Sequence, residues 1–345
     1  MNTANVAIVI LNWNGEKLLN RFLPSVLAHS RQKGVDVIVA DNGSDDNSLS
    51  LLRKCFPEVR LLKLYMNQGF ARGYNQALKQ VKTDYYILLN SDVEVSPNWI
   101  TPLIRPMEED PSVAAVQPKI LSWHKKNEFE YAGAAGGFID KQGFPFCRGR
   151  ILNVTEKDQG QYDRLIPVFW ASGACMAIRS RAFREAGGFD PDFWAHMEEI
   201  DLCWRMKNKG YRILCTPFST VYHLGGGSLS YDNPKKLYLN FRNSLFMLVK
   251  NLPPGKLAKV LLPRMILDGA AALKFLTEGN LSGFGSVWKA HLAFYLTLPK
   301  LIKKRNVLIA ASNPVWHPEI LNHSLIWDFY IHGKKSYTEI TEHEK

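Results

Sequence analysis

The apolar positions in the first third of the chain follow two alternating periods, one typical of strands and one typical of helices. A continuous apolar run of strand length occurs at residues 6–11, and further strands are predicted from the apolar-rich segments 35–40, 59–64 and 85–90. Helical spacing or helix-opening residues lie between them, so helices are predicted at 15–30, at 48–55 and from a glycine loop at 67–73 to about 81. Strands that alternate with helices predict a mostly parallel sheet with right-handed crossovers.

The middle third is less regular. Strands are predicted at 113–121, at 168–178 with a break at Gly173, and at 211–216. Helices are predicted at 181–186 and, with acids at its start, at 197–209. The segment 131–165 is rich in glycine and polar residues and indicates a hairpin or a long loop.

The last third has the pattern of amphipathic helices. An apolar stripe at helical spacing, with lysines beside it, comprises Ala258, Leu261, Leu262, Met265, Gly269, Ala272, Leu273 and Leu276. Pro263 interrupts this stripe and predicts a kink or a restarted helix. From Val287 to about Lys304, aromatic and leucine residues alternate with lysines, as in helices that lie in a membrane interface.

Composition excludes several classes of protein. Of the 345 residues, 46% are hydrophobic and 22% are charged, which excludes a disordered or fibrous chain. The five cysteines form no CxxC pair, so neither a zinc knuckle nor a disulfide framework is expected, and a reducing compartment is indicated. The first residues lack the basic region of a signal peptide, and no apolar run reaches the length of a membrane span.

The net charge of +11 is unevenly distributed. Residues 234–310 contain 13 lysines and arginines and two acids, so this segment alone carries +11 and the rest of the chain sums to zero. A basic, apolar segment predicts attraction to an anionic partner such as a membrane surface, although a solvated basic face would have the same composition. Because no nucleic-acid recognition module is present, nucleic acid is not an expected partner.

Polar clusters follow three of the predicted strands, at Asn12-Trp13-Asn14, Asp41-Asn42-Gly43 and Asn90-Ser91-Asp92. In parallel sheets, ligands bind beyond the carboxyl ends of the strands. Asp41 could accept a hydrogen bond from a nucleobase or a ribose, or it could cap a helix. Asp92 could hold a divalent cation, or it could form an Asx turn.

Three further segments carry candidate chemistry. The glycine loop that contains Asn67 and Gly69 opens a helix and could approach a phosphate. Glu198, Glu199 and Asp201 lie among aromatic residues, where a carboxylate can become a general base, although acids at a helix start also favour the helix dipole. His223 precedes a run of glycines and is either a metal ligand beside a mobile loop or a structural histidine.

Taken together, these segments resemble glycosyltransferase family 2, the inverting nucleotide-sugar transferases with a GT-A fold, and most closely its bacterial rhamnosyltransferase-like branch. The resemblance covers about residues 5–250 and is carried by VAIVILNWNG, VIVADNGSDD, NQGFARGYNQAL, YYILLNSDVEV, FWASGACMAIRSRAFREAGGFDPDFWAHMEEIDLCWR, VYHLGGGS and NFRNS. It implies an α/β catalytic domain at 1–233, with a nucleotide-binding half at about 1–110 and an acceptor half at about 111–233. Residues 234–345 would then form a helical extension.

The resemblance also implies roles for individual residues. Asn12 and Trp13 would line the nucleotide pocket, Asp41 would contact the donor base, and Asn67 and Gly69 would contribute to donor binding. Asp92 and His223 would hold a divalent cation, Mg or Mn, on the donor diphosphate. Asn90 replaces the first aspartate of the family's DxD motif, which removes one negative charge. The catalytic base would be Glu199, with Glu198 and Asp201 as alternatives.

The expected reaction is the transfer of a sugar from a UDP- or dTDP-sugar to a hydroxyl of a growing, lipid-linked, cell-surface glycan. The enzyme would be cytoplasmic and attached peripherally to the inner face of the cell membrane. The alternatives are a non-catalytic nucleotide-sugar-binding or scaffold protein of the same fold, or a sugar nucleotidyltransferase. The nucleotidyltransferase would need a basic phosphate loop near the N-terminus, and ILNWNGEKLL does not match one.

Overall fold

A computed structural model describes residues 5–225 and 233–342 of the chain. The strands, in chain order, are β1 (Val6–Asn12), β2 (Val35–Asn42), β3 (Arg60–Leu64), β4 (Tyr85–Leu89), β5 (Val93–Val95), β6 (Val113–Ser122), β7 (Gly137–Asp140), β8 (Pro145–Cys147), β9 (Arg150–Ile151), β10 (Val154–Thr155), β11 (Ile166–Val168), β12 (Cys175–Arg179), β13 (Arg212–His223) and β14 (Ile320–Leu321). The helices are α1 (Glu16–His29), α2 (Ser48–Cys55), α3 (Gly69–Leu78), α4 (Thr101–Glu109), α5 (Ser180–Glu185), α6 (Glu198–Asn208), α7 (Pro234–Asn251), α8 (Leu257–Thr277), α9 (Leu281–Ala310), α10 (Leu325–Tyr330) and α11 (Tyr337–Thr341).

The central sheet confirms the predicted α/β fold class. Its order is β11-β13-β6-β12-β4-β1-β2-β3, and β5 pairs with the end of β13. The four strands β3, β2, β1 and β4 are parallel, whereas β12 runs antiparallel to both β4 and β6. The sheet is therefore parallel from β3 through β4 and mixed beyond β4.

The parallel register brings the polar strand ends to one edge of the sheet. Asn12 at the end of β1 lies opposite Asp41 in β2, and Ile10 lies opposite Leu89, the last residue of β4. Strands β1 and β4, and β2 from Ile38 onward, are almost fully buried up to these positions, because helices cover both faces of the sheet. Asn90 and Asp92 therefore follow directly at the same edge.

Two predictions for the middle third need correction. The segment 168–178 is not one broken strand: β11 and β12 lie in different places in the sheet and are joined by residues 169–174. The segment 131–165 is not a simple hairpin or loop either, because four short strands there form a second sheet with the order β10-β9-β8-β7-β14. Strand β14 comes from residues 320–321, far along the chain from its partner β7, so no local pattern predicted that the two strands pair.

Strand β13 is longer than the apolar run at 211–216 indicated. It continues across a register shift between Thr216 and Thr220 and ends at His223, which pairs with Val93 of β5. The extension carries His223 to the strand end next to Asp92, whose carbonyl accepts from the N–H of Leu224 at 3.0 Å. Residues 226–232, which include most of the predicted glycine loop, lie outside the described residues.

The C-terminal helices pack into the body of the protein. Helix α7 buries a continuous run, residues 245–249, and α9 buries Phe294 and Leu301 against the same core. Helix α8 continues through Pro263 and does not restart there. The division at residue 233 remains a prediction, but the two parts share one hydrophobic core.

Removal of residues 234–345 is expected to unfold the remainder. The truncation would uncover the apolar surface under α7 and remove β14 from the second sheet, and each buried large apolar side chain contributes about 1.5–3 kcal/mol. Thermal unfolding of the 1–233 fragment, followed by circular dichroism, should show no cooperative transition. A cooperative transition like that of the full chain would contradict the shared core.

Candidate functional site

The first part of the site is a buried polar corner between β1 and β2. The side-chain amide of Asn12 donates to Asp41 Oδ1 and to Ser44 Oγ, both at 3.2 Å, and the backbone N–H of Ser44 donates to Asp41 Oδ2 at 3.1 Å. Asn12 Oδ1 is buried without a hydrogen-bond partner among the described residues. A side chain at Gly15 would place its Cβ 2.2 Å from that oxygen, so the turn requires glycine.

The two nucleotide-pocket residues predicted from the first strand have different environments. Asn12 is fully buried, whereas Trp13 is 54% exposed beside it. The buried amide holds Asp41 in place, and the exposed indole offers a flat apolar surface. The structure thus brings Asn12, Trp13 and Asp41 together at the edge where parallel sheets bind ligands.

The glycine segment differs from its prediction, because its N–H groups already have partners. The N–H of Gln68 donates to Asn42 Oδ1 at 3.1 Å, and the N–H of Gly69 donates to Asn67 Oδ1 at 2.9 Å. The next two N–H groups, of Phe70 and Ala71, point at the carbonyl oxygen of Trp194 at 2.8 and 3.3 Å. The N–H groups at the start of α3 therefore bind other parts of the protein and are not available to a phosphate in this structure. The donor-binding role of Asn67 and Gly69 remains a prediction.

The loop before α6 is held in an unusual conformation. Trp194, His196 and Met197 have positive φ angles of 65°, 68° and 69°, a region that side chains other than glycine rarely adopt. The side-chain amide of Asn243 in α7 contacts the carbonyl oxygens of Phe193, Ala195 and His196 at 3.0, 2.9 and 2.7 Å. Because Asn243 fixes these carbonyls, the NFRNS segment has a defined task in the site, which the sequence alone did not indicate.

Glu198 and Glu199 begin α6 directly after this loop. The Oε2 atom of each is buried without a hydrogen-bond partner among the described residues. Burial raises the pKa of Glu199 to about 7, and burial together with the neighbouring Glu199 charge raises the pKa of Glu198 well above its usual range. Two adjacent acids with raised pKa values can divide the roles of base and neutral hydrogen-bond donor.

Asp201 has a different environment from the two glutamates. It is fully buried and accepts from Arg205 at 2.8 Å, from Lys250 at 2.8 and 2.9 Å, and from the amide of Asn251 at 2.8 Å. Burial alone would raise the pKa of Asp201, but the charges of Lys250 and Arg205 outweigh burial and lower its pKa. These contacts favour a structural role for Asp201 over that of an alternative base.

A chain of ion pairs extends from Asp201 to the C-terminal helices. Lys250 contacts Asp190 Oδ2 at 2.6 Å as well as Asp201, and Lys304 of α9 contacts Asp190 at 2.6 Å and Asp192 at 2.8 Å. Buried charges are stable only when they are paired in this way. The ion pairs therefore fix the segment 190–201, which carries the two candidate acids, to α7 and α9.

The candidate metal ligands lie together. Asp92 Oδ1 is 3.1 Å from His223 Nε2, and both side chains are about nine-tenths buried. The other ring nitrogen, Nδ1, is 3.0 Å from Glu130 Oε2, off the line of an ideal hydrogen bond. Burial alone would lower the pKa of His223, but the Asp92 and Glu130 carboxylates raise it to about 10.

The pair fits a divalent cation that takes most of its ligands from elsewhere. Two ligands at about 2.1 Å from an octahedral ion lie about 3 Å apart, which matches the separation of Asp92 Oδ1 and His223 Nε2. Within residues 5–225 and 233–342, no three His, Cys, Asp or Glu side chains form a complete metal cage. Ions of the Mg²⁺ type usually take one or two protein ligands and complete their shell with phosphate oxygens and water.

Several residues of the site were not predicted from the sequence. Glu130 and Lys250 belong to no motif that the strand ends suggested, and only the tertiary structure brings them to His223 and Asp201. Ser44 lies in the VIVADNGSDD segment, so its position after Asp41 was a usable signal. Gly173, in turn, lies beside Glu199, since a Cβ there would be 3.9 Å from that of Glu199.

Comparison with known proteins identifies the family of this chain. The model of the glycosyl transferase family 2 matches residues 7–187, more than half of the chain. A Mycobacterium tuberculosis protein, N-acetylglucosaminyl-diphospho-decaprenol L-rhamnosyltransferase, is 27% identical over 256 residues, which are 70% of this chain and 83% of the relative. The O-antigen biosynthesis protein RfbC of Myxococcus xanthus is 28% identical over 238 residues, 67% of this chain but 18% of that protein.

Solved structures share the fold at low sequence identity. GalNAc-T7 with UDP, GalNAc and Mn²⁺ has a TM-score of 0.62 at 17% identity, with 99% of this chain and 58% of that chain covered. TarS 1–349 of S. aureus has a TM-score of 0.53 at 15% identity, with 89% and 86% covered. These likenesses agree with a GT-A-like fold, and the family match identifies the chain as a member of glycosyl transferase family 2, a glycosyltransferase of the rhamnosyltransferase-like branch.

Proposed function

We propose that this glycosyltransferase moves a sugar, with inversion, from a UDP- or dTDP-sugar to a hydroxyl of a growing, lipid-linked, cell-surface glycan. Glu199 carries the proposal, because its carboxylate is partly buried, has an unpartnered oxygen and has a pKa raised to about 7. A base is most effective when its pKa lies near the working pH. Glu199 therefore accepts the proton of the acceptor hydroxyl as that oxygen attacks the anomeric carbon.

The donor occupies the polar edge of the sheet. Asp41, held by Asn12 and Ser44, accepts a hydrogen bond from the nucleoside, and Trp13 offers its exposed face beside it. Asp92 and His223 would hold Mg²⁺ or Mn²⁺, and Asn90 would contribute an uncharged oxygen at the same turn. The cation, when bound, supplies positive charge against the leaving diphosphate. The raised pKa of Glu198 favours its neutral form, which can donate a hydrogen bond to an oxygen of the acceptor glycan.

A panel of nucleotide sugars tests this function. Each donor is incubated with the full chain, with and without Mn²⁺, and the released nucleoside diphosphate is measured. One donor should release the diphosphate in a metal-dependent reaction, slowly with water and faster with a polyprenyl-diphosphate-linked acceptor. Binding of a nucleotide sugar without any turnover would instead favour the non-catalytic alternative.

The nature of the acceptor is proposed from the relatives. The mycobacterial relative is named as acting on a decaprenol-linked diphospho-sugar, and RfbC is named for O-antigen biosynthesis. Enzymes that use polyprenyl-linked acceptors must work at a membrane surface. Among the described helices, none is long and apolar enough to cross a bilayer.

The outer surface of α8 and α9 is the proposed membrane contact. Its residues are only partly those of the apolar stripe predicted for residues 258–276. The packed face of α8 contains Val260, Arg264, Asp268 and Ala272, with an ion pair of 2.9 Å between the arginine and the aspartate. Much of the apolar stripe instead faces solvent. The exposed large apolar side chains of the two helices include Leu262, Ile266, Leu273, Leu276, Trp288, Leu292, Tyr295 and Leu296. A helix pair with an apolar outer surface fits the interface of a bilayer.

The positive charge available to a membrane is smaller than the sequence count suggested. Lys250 and Lys304 pair with acids of the 190–201 segment, and Lys300 pairs with Asp192 at 2.7 Å. Lys259, Lys289 and Lys303 are exposed on α8 and α9. Near an anionic leaflet, each such lysine contributes about 1 kcal/mol before screening.

The full chain is expected to co-sediment with vesicles that contain phosphatidylglycerol and to dissociate at high salt, because screening weakens exposed charges. The double variant Ile266→Ser/Leu296→Ser should stay in the supernatant. Phe218→Ser is the matched control, since Phe218 of β13 is 71% exposed, like Ile266 at 72%, but belongs to the central sheet. The full chain could instead stay in the supernatant with these vesicles and prove to be a dimer by analytical ultracentrifugation. That result would show that a second copy of the chain, not a membrane, covers this surface.

A further inference from the structure

Glu130 contacts the ring nitrogen of His223 that faces away from Asp92. The distance from Glu130 Oε2 to His223 Nδ1 is 3.0 Å, and that from His223 Nε2 to Asp92 Oδ1 is 3.1 Å, so the imidazole lies between two carboxylates. The three side chains have 9%, 7% and 10% of their surface exposed, so water cannot easily replace any of these contacts.

The backbone around Glu130 holds its carboxylate in that position. The N–H of Ala132 donates to Glu130 Oε2, and the N–H of Glu130 itself donates to the carbonyl of Ile120 at 3.1 Å. The other carboxylate oxygen lies under Gly225, where a Cβ would approach it to 2.8 Å. Gly225 also has a positive φ of 71°, so both space and backbone conformation favour glycine there. The position of Glu130 is thus fixed from three sides.

We propose that Glu130 is a positioning residue that sets the ring orientation and tautomer of His223 for metal binding. The inference rests on the proposed function, in which Asp92 and His223 hold the cation. Histidine ligands generally donate their second ring N–H to a carboxylate or carbonyl, which fixes the ring and strengthens the ligand. When the cation is bound, a proton kept on Nδ1, 3.0 Å from Glu130 Oε2, would leave the lone pair of Nε2 available to the cation beside Asp92.

The test is Mn²⁺ affinity, measured in the presence of UDP by the electron paramagnetic resonance signal of free Mn²⁺. Glu130→Ala should weaken Mn²⁺ binding by about 10- to 100-fold, the usual effect of losing such a partner. Glu130→Gln keeps an acceptor oxygen without the charge, so it should lie between wild type and Glu130→Ala. UDP binding without metal should be unchanged in both variants, whereas a general structural defect would weaken it.

Glu128→Gln is the matched control. Glu128 is two residues away but pairs with Lys125 at 3.2 Å and does not contact His223, so its Mn²⁺ affinity should equal that of wild type. If Glu130→Ala unfolds at a lower temperature, Glu130→Gln carries the comparison. Wild-type affinity in folded Glu130→Gln and Glu130→Ala would overturn the positioning role alone. A wild-type chain that binds no Mn²⁺ with UDP would instead refute the metal site of the proposed function.

Discussion

Glu199→Gln is expected to reduce sugar transfer by ~10²–10⁴-fold, because glutamine keeps the shape of the side chain but cannot accept the proton of the acceptor hydroxyl. Donor binding, measured by calorimetry with UDP or the active nucleotide sugar, should survive, since the base acts on the acceptor. Glu199→Asp should retain part of the activity, because it restores the carboxylate at a shorter reach.

The raised pKa of Glu199 gives this prediction a pH signature. The wild-type kcat/KM should rise as the pH approaches about 7 and then level off, because the free enzyme needs Glu199 ionised. The folded pKa is above the unfolded one, so ionisation of Glu199 costs stability as the pH rises through about 7. Glu199→Gln should therefore raise the melting temperature at pH 8 but leave it unchanged at pH 4.

Two comparisons show whether the base has been assigned to the correct acid. Near-wild-type turnover in Glu199→Gln combined with an inactive Glu198→Gln would move the role to Glu198. Asp201→Asn should behave differently from both. It takes the carboxylate from buried Arg205 and leaves buried Lys250 with Asp190 alone, and breaking such a buried pair costs about 3–5 kcal/mol. Asp201→Asn is therefore expected to lower the melting temperature as well as activity.

Asp92→Ala is expected to reduce transfer by about 10³-fold or more. The variant removes the carboxylate that contacts His223 Nε2, and a bound cation would contribute several kcal/mol to a reaction in which a diphosphate leaves. Excess chelator should reduce the wild type to a similar rate. The measurement is the release of nucleoside diphosphate with the active donor and acceptor, at several Mn²⁺ concentrations.

Asn90→Asp is the companion variant to Asp92→Ala. It restores the negative charge that the family's motif has at this position, so it should be tolerated and should lower the Mn²⁺ concentration needed for half-maximal rate. Full activity of Asp92→Ala, or of the wild type in excess chelator, would contradict the proposal that Asp92 and His223 bind a cation needed for transfer. The melting temperature of each variant separates loss of the ligand from loss of the fold.

Local patterns in the sequence were sufficient to predict the parallel part of the sheet. Strands β1 and β4 are continuous apolar runs and β2 is apolar from Val37 to Ala40. Polar residues end or follow all three strands, and parallel pairing leaves little freedom in where those ends go. The positions of Asn12, Asp41 and Asp92 at one sheet edge follow from that pattern alone. The acids before residue 202 and the histidine at 223 were also recognisable from their motifs.

Hydrogen bonding at the glycine segment depended on a contact distant in sequence. Residues 67–73 have the composition of a phosphate-binding helix start, yet the N–H groups of Phe70 and Ala71 meet the carbonyl of Trp194. Nothing within the segment encodes that partner, because it comes from a loop more than 100 residues later. The second sheet also depends on a contact distant in sequence, since β14 at residues 320–321 pairs with β7 at residues 139–140.

What the sequence by itself determined was the α/β architecture, the family and the residue types at the strand ends, since these depend on hydrophobic period and short motifs. Only the tertiary structure decided which acids are free and which are paired. Glu199 and Asp201 are two residues apart in one helix, but burial leaves one with an unpartnered oxygen, whereas Lys250 and Arg205 neutralise the other. Protonation depends on charges and burial in three dimensions, and no spacing along the chain specifies them.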